Sequence, residues 1–127
     1  MPIPTAPVGL VVEDQPDTRE MMLEVLTNGG YAAVPAASGA EALAQVQCAW
    51  PRVVVLDIGL PDMDGLEVAR RIRAMPGGDA TSIIVVSGHF GAADTPTVLA
   101  SGADAFLPKP VDLVELEEVL ARLLTSR

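Results

Sequence analysis

The sequence predicts an α/β fold in which helices cover both faces of a five-stranded parallel sheet. Two short apolar runs, Val53–Leu56 and Ile83–Val86, are rich in β-branched residues and do not alternate with polar ones, which is typical of strands buried on both faces. Between the apolar runs, apolar residues recur at helical spacing. The chain has 127 residues, which suits one domain, and we expect residues 1–127 to form a single domain with a core at about 8–124.

Five segments have strand character, and prolines help to order them in the sheet. Pro35 lies inside the second segment and Pro108 ends the fifth, and proline is tolerated mainly in edge strands. Strands two and five therefore belong at the edges, which fits the order 2-1-3-4-5 of a flavodoxin-like, doubly wound sheet. The predicted strands are Gly9–Val12, Tyr31–Ala37, Val53–Leu56, Ile83–Val86 and Ala105–Leu107.

Five helical segments alternate with these strands, which implies right-handed crossovers. Ser38 is placed to cap the second helix, and Glu41 stands at the capping-box position. Pro96 limits the fourth helix to a short piece that starts near residue 94 or 95. The other predicted helices are Pro16–Asn28, with Met21, Met22, Val25 and Leu26 facing inward, Gly65–Met75, preceded by Asp62 and Asp64 as candidate caps, and a last helix that Asp112 caps.

Composition and charge exclude several classes of protein. The hydrophobic share of 50% excludes a disordered chain, and no apolar run approaches the roughly 18 residues that span a membrane. The formal net charge of -9 and a pI near 4.3 argue against a nucleic-acid surface spread over the domain. Cys48 is the single cysteine and cannot form an internal disulfide, which fits a reducing cytoplasm, and we expect it to be at least half-buried.

Polar side chains follow four of the predicted strands at their carboxyl ends, where open parallel sheets bind ligands. Glu13 and Asp14 follow strand one, Asp57 ends strand three, Ser87 ends strand four and Lys109 follows strand five. Three clustered carboxylates repel one another unless a cation joins them, and hard oxygen ligands suit Mg²⁺. An aspartate at such a site can attack phosphorus while Mg²⁺ and Lys109 neutralise charge. The sequence therefore predicts a phosphoryl-transfer site at this edge.

At these residues the sequence resembles the receiver domain of bacterial two-component response regulators. The resemblance covers the chain from about Val8 to Leu124, and its motif pieces lie in the family's order at the expected strand ends. The matching pieces are Glu13-Asp14, Val55 to Gly65 (VLDIGLPDMDG), Ser87-Gly88 and Gly102 to Pro110 (GADAFLPKP).

The resemblance implies a role for each residue of the predicted site. Asp57 would accept a phosphoryl group from a histidine. Asp14, Asp57 and the backbone carbonyl of Gly59 would bind Mg²⁺ directly, or Mn²⁺ in its place, and Glu13 would hold the metal through water. Lys109 would contact the phosphate and would pair with Asp57 before phosphorylation.

The resemblance also implies a switch beside the acceptor. Ser87 would donate its hydroxyl to a phosphate oxygen, and Phe106, the switch aromatic, would turn inward when Ser87 moves. The peptide bond before Pro110 would be cis. Gly59 and His89, near the mouth of the pocket, could control the access of water to the acyl phosphate.

The implied function is a phosphorylation-controlled switch in a two-component phosphorelay, which catalyses only its own phosphorylation and dephosphorylation. The implied partners are a histidine kinase or histidine phosphotransfer domain, and a dimer or output partner on the surface of the fourth helix, fifth strand and fifth helix. We expect a cytoplasmic location and no direct contact with nucleic acid or membrane. The chain could be a stand-alone response regulator, or a receiver from a hybrid histidine kinase or a longer regulator.

Three other functions share parts of this pattern. An electron-transfer flavodoxin has the same sheet order, but it needs a hydroxyl-rich loop after strand one, where this chain has Glu13-Asp14-Gln15-Pro16. A phosphatase with an aspartate nucleophile would carry a second aspartate at position 59, which is glycine here. A degenerate receiver that serves only as a docking surface would not need the complete set of site residues.

Overall fold

The computed structural model describes residues 6–88 and 95–125 of the chain. Five parallel strands form a sheet in the order β2-β1-β3-β4-β5, which confirms the predicted order. The strands are β1 (Val8–Val12), β2 (Ala32–Ala36), β3 (Val53–Asp57), β4 (Ser82–Ser87) and β5 (Ala105–Pro108). The helices are α1 (Pro16–Asn28), α2 (Gly39–Ala49), α3 (Gly65–Ala74), α4 (Thr95–Ala100) and α5 (Leu113–Thr125), and a 3₁₀ helix, Gly78–Ala80, precedes β4.

The two apolar runs form the centre of the sheet because both of its faces are covered there. Val55 of β3 pairs in register with Val11 of β1 and Ile84 of β4, and every residue of β3 and β4 is buried. β2 and β5 lie at the edges. Pro35 of β2 is exposed, and an edge position tolerates its missing N–H group.

Successive side chains of the central strands pack against helices on opposite faces of the sheet. Val54 and Leu56 share a core with residues of α2, α3 and α4. Val53 and Val55 share a second core with residues of α1 and α5. Among the helices of the described ranges, none has both the length and the apolar character needed to cross a membrane.

Local hydrogen bonds begin the helices near the predicted positions. Ser38 Oγ accepts from the N–H of Glu41 at 3.2 Å, and the Glu41 carboxylate accepts from the N–H of Ala37 at 3.3 Å. The predicted cap at Ser38 is therefore present, whereas the Glu41 carboxylate accepts from the residue before the cap and not from the N–H of Ser38 that a capping box uses. Asp112 Oδ1 accepts from two N–H groups in the first turn of α5, at 2.9 and 3.2 Å. α4 is short, and Pro96 lies in its first turn, as predicted.

Two expectations about burial are wrong. Met21 is 44% exposed, whereas Met22 is fully buried, because α1 turns only one of these neighbours toward the sheet. Cys48 is exposed, because it lies on the solvent side of α2, two residues after the buried Val46. His89, whose position two residues after Ser87 suggests a role in water access, lies outside the described residues.

At the amino-terminal edge of the sheet, the guanidinium of Arg73 connects three segments of the chain. Arg73 Nε donates to the carbonyl of Gly102 at 2.8 Å, and Nη1 donates to the carbonyls of Gly78, at 2.6 Å, and Thr81. Nη2 lies 2.8 Å from Asp104 Oδ2, which also accepts from a backbone N–H of β4 at 2.8 Å. Gly102 permits this contact, because its φ is 104° and a Cβ there would lie 2.6 Å from Arg73 Cγ.

Candidate metal and phosphate site

The carboxyl ends of β1 and β3 bring three carboxylates into one cluster. Glu13 and Asp14 follow β1 directly, and Asp57 is the last residue of the neighbouring β3. The N–H of Glu13 donates to the carbonyl of Ala36 at 3.0 Å, which continues the pairing of β1 with β2. One carboxylate oxygen from each acidic residue lies within 4.8 Å of the other two. The three residues that the sequence predicts to be metal ligands are thus neighbours in the fold.

The donor set and its burial fit Mg²⁺. Glu13 and Asp57 are buried and Asp14 is half-buried. Like charges held together in a buried site are costly without a cation, and carboxylate oxygens are the ligands that Mg²⁺ takes in proteins. Mg²⁺ usually keeps several water ligands, so a cluster with one carboxylate toward the solvent suits it.

Lys109 enters this cluster from the end of β5. Its Nζ lies 2.7 Å from Glu13 Oε1 and 3.5 Å from Asp57 Oδ1. The backbone N–H of Lys109 donates to the carbonyl of Ser87 at 3.0 Å, and the peptide bond to Pro110 is cis, as the resemblance implies. The expected pairing of Lys109 with Asp57 is present, but the shorter ion pair is with Glu13.

Burial and ion pairing act in opposite directions on the protonation of this pair. Burial raises the pKa of Glu13, and the hydrogen bonds from Lys109 and from the N–H of Gln15 only partly offset that effect. Burial lowers the pKa of Lys109, but the hydrogen bond to Glu13 and the charge of Asp57 outweigh burial and leave the pKa above its ordinary value. Lys109 is therefore charged at neutral pH, and the Glu13 carboxyl group loses its proton less readily than that of an ordinary glutamate.

Ser87 and Phe106 lie on the β4 and β5 side of the cluster. Ser87 is fully buried and follows Val86, which pairs in register with Asp57. Phe106 is half-buried and packs against the core that β3 shares with α2, α3 and α4. Ser87 is thus at the same edge of the sheet as Asp57, whereas Phe106 lies further along β5.

The loop between β3 and α3 carries Gly59 and closes on itself. Gly59 forms a bridge with Asp64, and the N–H of Gly65 donates to the carbonyl of Ile58 at 2.9 Å. A Cβ at Gly65 would lie 2.2 Å from the carbonyl oxygen of Asp57, so a larger residue cannot occupy this position without moving the backbone. The conformation of the loop therefore depends on a glycine directly beside the end of β3.

Arg19, beside the cluster, and Asp62, in the loop between β3 and α3, make contacts that no local pattern in the sequence indicates. Arg19 Nη1 donates to the carbonyl oxygens of Glu13, at 2.9 Å, and Asp14, at 3.4 Å. Asp62 accepts from the first two N–H groups of α2, at 2.8 and 2.9 Å, and these hydrogen bonds lower the pKa of its carboxyl. Asp64, the other candidate cap, accepts from the first turn of its own helix, α3, at 2.8 Å.

Comparison with known proteins identifies the family to which the chain belongs. A model of the response regulator receiver domain matches residues 10–121. The chain belongs to this receiver domain family. Response regulator MprA of Mycolicibacterium vanbaalenii is 40% identical over 114 residues, which are 90% of this chain and 47% of that protein, so the receiver chain spans about half of MprA. An uncharacterized 14.6 kDa protein in the sodA1 3′ region of Leptolyngbya boryana is 36% identical over 107 residues, 84% of this chain and 82% of that protein.

Solved structures of receiver domains share the fold. A putative response regulator from Chloroflexus aurantiacus aligns with a TM-score of 0.87 and 29% identity, over 96% of this chain and 99% of that one. The chemotaxis response regulator CheY4 of Vibrio cholerae aligns with a TM-score of 0.86 and 30% identity, over 94% and 99%. These similarities agree with the strand order and the five helices described above.

As a receiver domain, the protein is a phosphoacceptor in bacterial two-component signalling. Members of the family bind Mg²⁺ through acidic residues and interact with histidine kinases and output domains. The family assignment favours the receiver function over the flavodoxin and phosphatase alternatives that the sheet order and the aspartate at a strand end left open.

Proposed function

We propose that Asp57 is the phosphoacceptor of this receiver domain and that Glu13, Asp14, Asp57 and the carbonyl of Gly59 hold Mg²⁺, or Mn²⁺ in its place. The observation that carries the proposal is the meeting of three carboxylates with the Lys109 ammonium at the carboxyl ends of the strands. Among the three acidic residues, Asp57 lies at the end of the central strand β3, beside β4 and Ser87.

In the proposed reaction, a carboxylate oxygen of Asp57 forms a bond to phosphorus while the P–N bond of a phosphohistidine breaks. The protonated imidazole ring takes the electron pair of that bond and leaves as neutral imidazole. When bound by the carboxylate cluster, Mg²⁺ would supply positive charge for the transfer of the phosphoryl group. Lys109 supplies a second positive charge, for which its ammonium turns from Glu13 toward the new phosphoryl group. A water oxygen then forms a bond to phosphorus while the bond between phosphorus and the Asp57 oxygen breaks, which releases inorganic phosphate and regenerates the Asp57 carboxylate.

The proposed switch uses the residues next to the acceptor. Ser87 donates a hydrogen bond to a phosphoryl oxygen of Asp57, which draws β4 inward and lets Phe106 turn into the space that is left. Phe106 lines a groove of about 520 Å³ between α4, β5 and α5, together with Leu99, Glu115 and other residues of those elements. A change at Phe106 would therefore reshape this α4-β5-α5 face, where we place the dimer or output contact.

The family suggests the extent of the domain and its phosphodonor. Residues 8–124 would form one receiver domain, and a histidine kinase or histidine phosphotransfer domain would be its phosphodonor. The domain would catalyse only its own phosphorylation and dephosphorylation. A cytoplasmic location agrees with the free thiol of Cys48. We propose no direct contact of this acidic domain with nucleic acid or with a membrane.

The acceptor assignment is tested by substitution of Asp57. We expect acetyl phosphate and Mg²⁺ to add one phosphoryl group that is labile to hydroxylamine, as acyl phosphates are, and we expect Asp57→Asn to abolish it, because an amide is not a nucleophile toward phosphorus. Intact mass spectrometry measures the modification. Asp79→Asn, an exposed residue of the 3₁₀ helix, is the control and should be labelled like the parent. Full labelling of the Asp57→Asn variant would contradict the assignment.

A further inference from the structure

Asp62 joins two parts of the chain that are distant in sequence. Its Oδ1 accepts from the N–H of Gly39 at 2.8 Å, and its Oδ2 accepts from the N–H of Ala40 at 2.9 Å. Each carboxylate oxygen thus has its own partner, which fixes the orientation of the side chain as well as its position. The carboxylate also lies at the positive end of the α2 dipole. An exposed side chain in the β3–α3 loop is therefore held to the first turn of a different helix.

The neighbouring residue holds the same loop by an apolar contact. Met63 packs against the core that includes α2 and α3. Its side chain fills the space beside Gly39, where a Cβ would lie 2.4 Å from Met63 Cγ. The loop is thus fixed to the start of α2 by a polar contact at Asp62 and a packed contact at Met63.

The same loop carries a proposed metal ligand. Gly59 lies three residues before Asp62, and the bridge between Gly59 and Asp64 joins the two ends of the loop. Because the loop closes on itself, a contact that holds Asp62 also restricts Gly59. The β2–α2 junction holds a second ligand segment, since Ala36 accepts from the N–H of Glu13 at 3.0 Å. The β2–α2 junction therefore holds both the loop that carries Gly59 and the segment that carries Glu13.

We propose that Asp62 is a positioning residue for the metal site, which holds the β3–α3 loop, and with it the carbonyl of Gly59, at a fixed distance from Glu13 and Asp57. The inference rests on the proposed function, because Gly59 matters here only as a metal ligand. The competing explanation is that Asp62 only stabilises α2. That helix already has its own cap, Ser38, whose hydroxyl accepts from Glu41.

The two caps of α2 give a matched experiment. Asp62→Ala removes the contact between the loop and α2, and Ser38→Ala removes a cap hydrogen bond of the same helix without touching the loop. Titration calorimetry with MgCl₂ measures the dissociation constant of each variant, and amide hydrogen exchange in EDTA measures the protection of residues 39 and 40. We expect Asp62→Ala to lose this protection and to weaken Mg²⁺ binding about tenfold, the low end of what loss of an outer-shell partner costs.

The controls separate positioning from stability. We expect Ser38→Ala to keep the affinity of the parent for Mg²⁺, and Asp62→Asn, which retains one acceptor oxygen of the same size and shape, to lie between parent and Asp62→Ala. The inference is overturned if Asp62→Ala binds Mg²⁺ as the parent does, or if Ser38→Ala weakens binding as much. Should Asp62→Ala not fold, parent-like affinity in Asp62→Asn together with loss of protection at residues 39 and 40 overturns it equally. A parent that binds no Mg²⁺ would instead refute the proposed metal site, and this inference with it.

Discussion

The amino-terminal edge of the sheet, where its strands begin, and the carboxyl-terminal edge, where they end, both bring charged groups together from distant segments. The two edges balance these charges differently. At the amino-terminal edge, Arg73 meets Asp104 and three backbone carbonyl oxygens, so one positive group has four fixed partners. At the carboxyl-terminal edge, the carboxylates of Glu13, Asp14 and Asp57 cluster, and Lys109 contacts two of them. The charge of Arg73 is balanced by acceptors within the protein. At the carboxyl-terminal edge, by contrast, carboxylates outnumber ammonium groups in the described ranges.

This difference indicates that the Arg73 contacts stabilise the fold, whereas the carboxylate cluster is suited to bind a cation. The Arg73 guanidinium makes four hydrogen bonds within the protein, so its charge is balanced without a ligand from solution. Clustered carboxylates, by contrast, are stabilised by any cation that binds among them, so binding and folding are coupled there. Clusters of this kind are found preferentially at functional sites.

Loss of the Arg73 side chain should cause the largest change in stability. Arg73→Ala removes the ion-pair partner of the half-buried Asp104 and the donor to three carbonyl groups, and we expect the free energy of unfolding to fall by about 3 kcal/mol. Urea denaturation in EDTA measures it. Arg71→Ala, on the same helix, removes only an exposed ion pair with Glu67 and should cost about 0.5 kcal/mol or less. Equal losses in the two variants would show that Arg73 contributes no more than a surface residue.

Magnesium should stabilise the carboxyl-terminal edge by a smaller amount. At a free Mg²⁺ concentration of about ten times its dissociation constant, linkage adds about 1.4 kcal/mol to the free energy of unfolding. Asp14→Ala should remove most of this gain, because it deletes a carboxylate of the cluster. Thermal melts with MgCl₂ and with EDTA measure both values. In Arg73→Ala the gain should persist, since that residue lies at the other edge, and its disappearance there would contradict the separation of the two edges.

The smallest effect is expected from the titration of Glu13, because burial and its pair with Lys109 oppose each other. The folded pKa of Glu13 is raised above its ordinary value of 4.5. Its contribution to stability is therefore greatest below that value and is lost as pH rises through the folded pKa. In EDTA, the free energy of unfolding of the parent minus that of Glu13→Gln should decrease across this range. Denaturation at a series of pH values measures the difference, and a difference that grows with pH would contradict the direction.

Local patterns were sufficient wherever neighbours in the sequence make the decisive contact. The β-branched runs of β3 and β4, the Ser38 cap of α2 and the short α4 all follow from residues within a few positions of one another. Met21 and Cys48 show the limit, because an apolar residue in a helix says little about which side of the helix meets the sheet. Prediction of which residues are buried requires the orientation of each helix on the sheet.

Longer-range partners could not be predicted because they depend on how separate elements pack. Both Asp62 and Asp64 precede α3 and look alike as caps, yet Asp64 caps α3 and Asp62 caps α2. The resemblance implies that Lys109 pairs with Asp57, and the structure shows that pair, but Lys109 lies closer to Glu13, since β5 and β1 end beside the same buried cluster. Nothing in the sequence near Arg73 indicates Asp104, 31 residues away.

The sequence by itself determined the strand order and the set of polar residues at the carboxyl ends of the strands, because a buried parallel sheet places every strand end at one of two edges. The tertiary structure alone decided which of those charges pair and which loops are held together. Ion pairs and hydrogen bonds act over a few ångströms, so they depend on the final positions of side chains that backbone pattern leaves open. At the carboxyl-terminal edge that final arrangement leaves three carboxylates together, and this is the feature on which the proposed metal and phosphoryl chemistry depends.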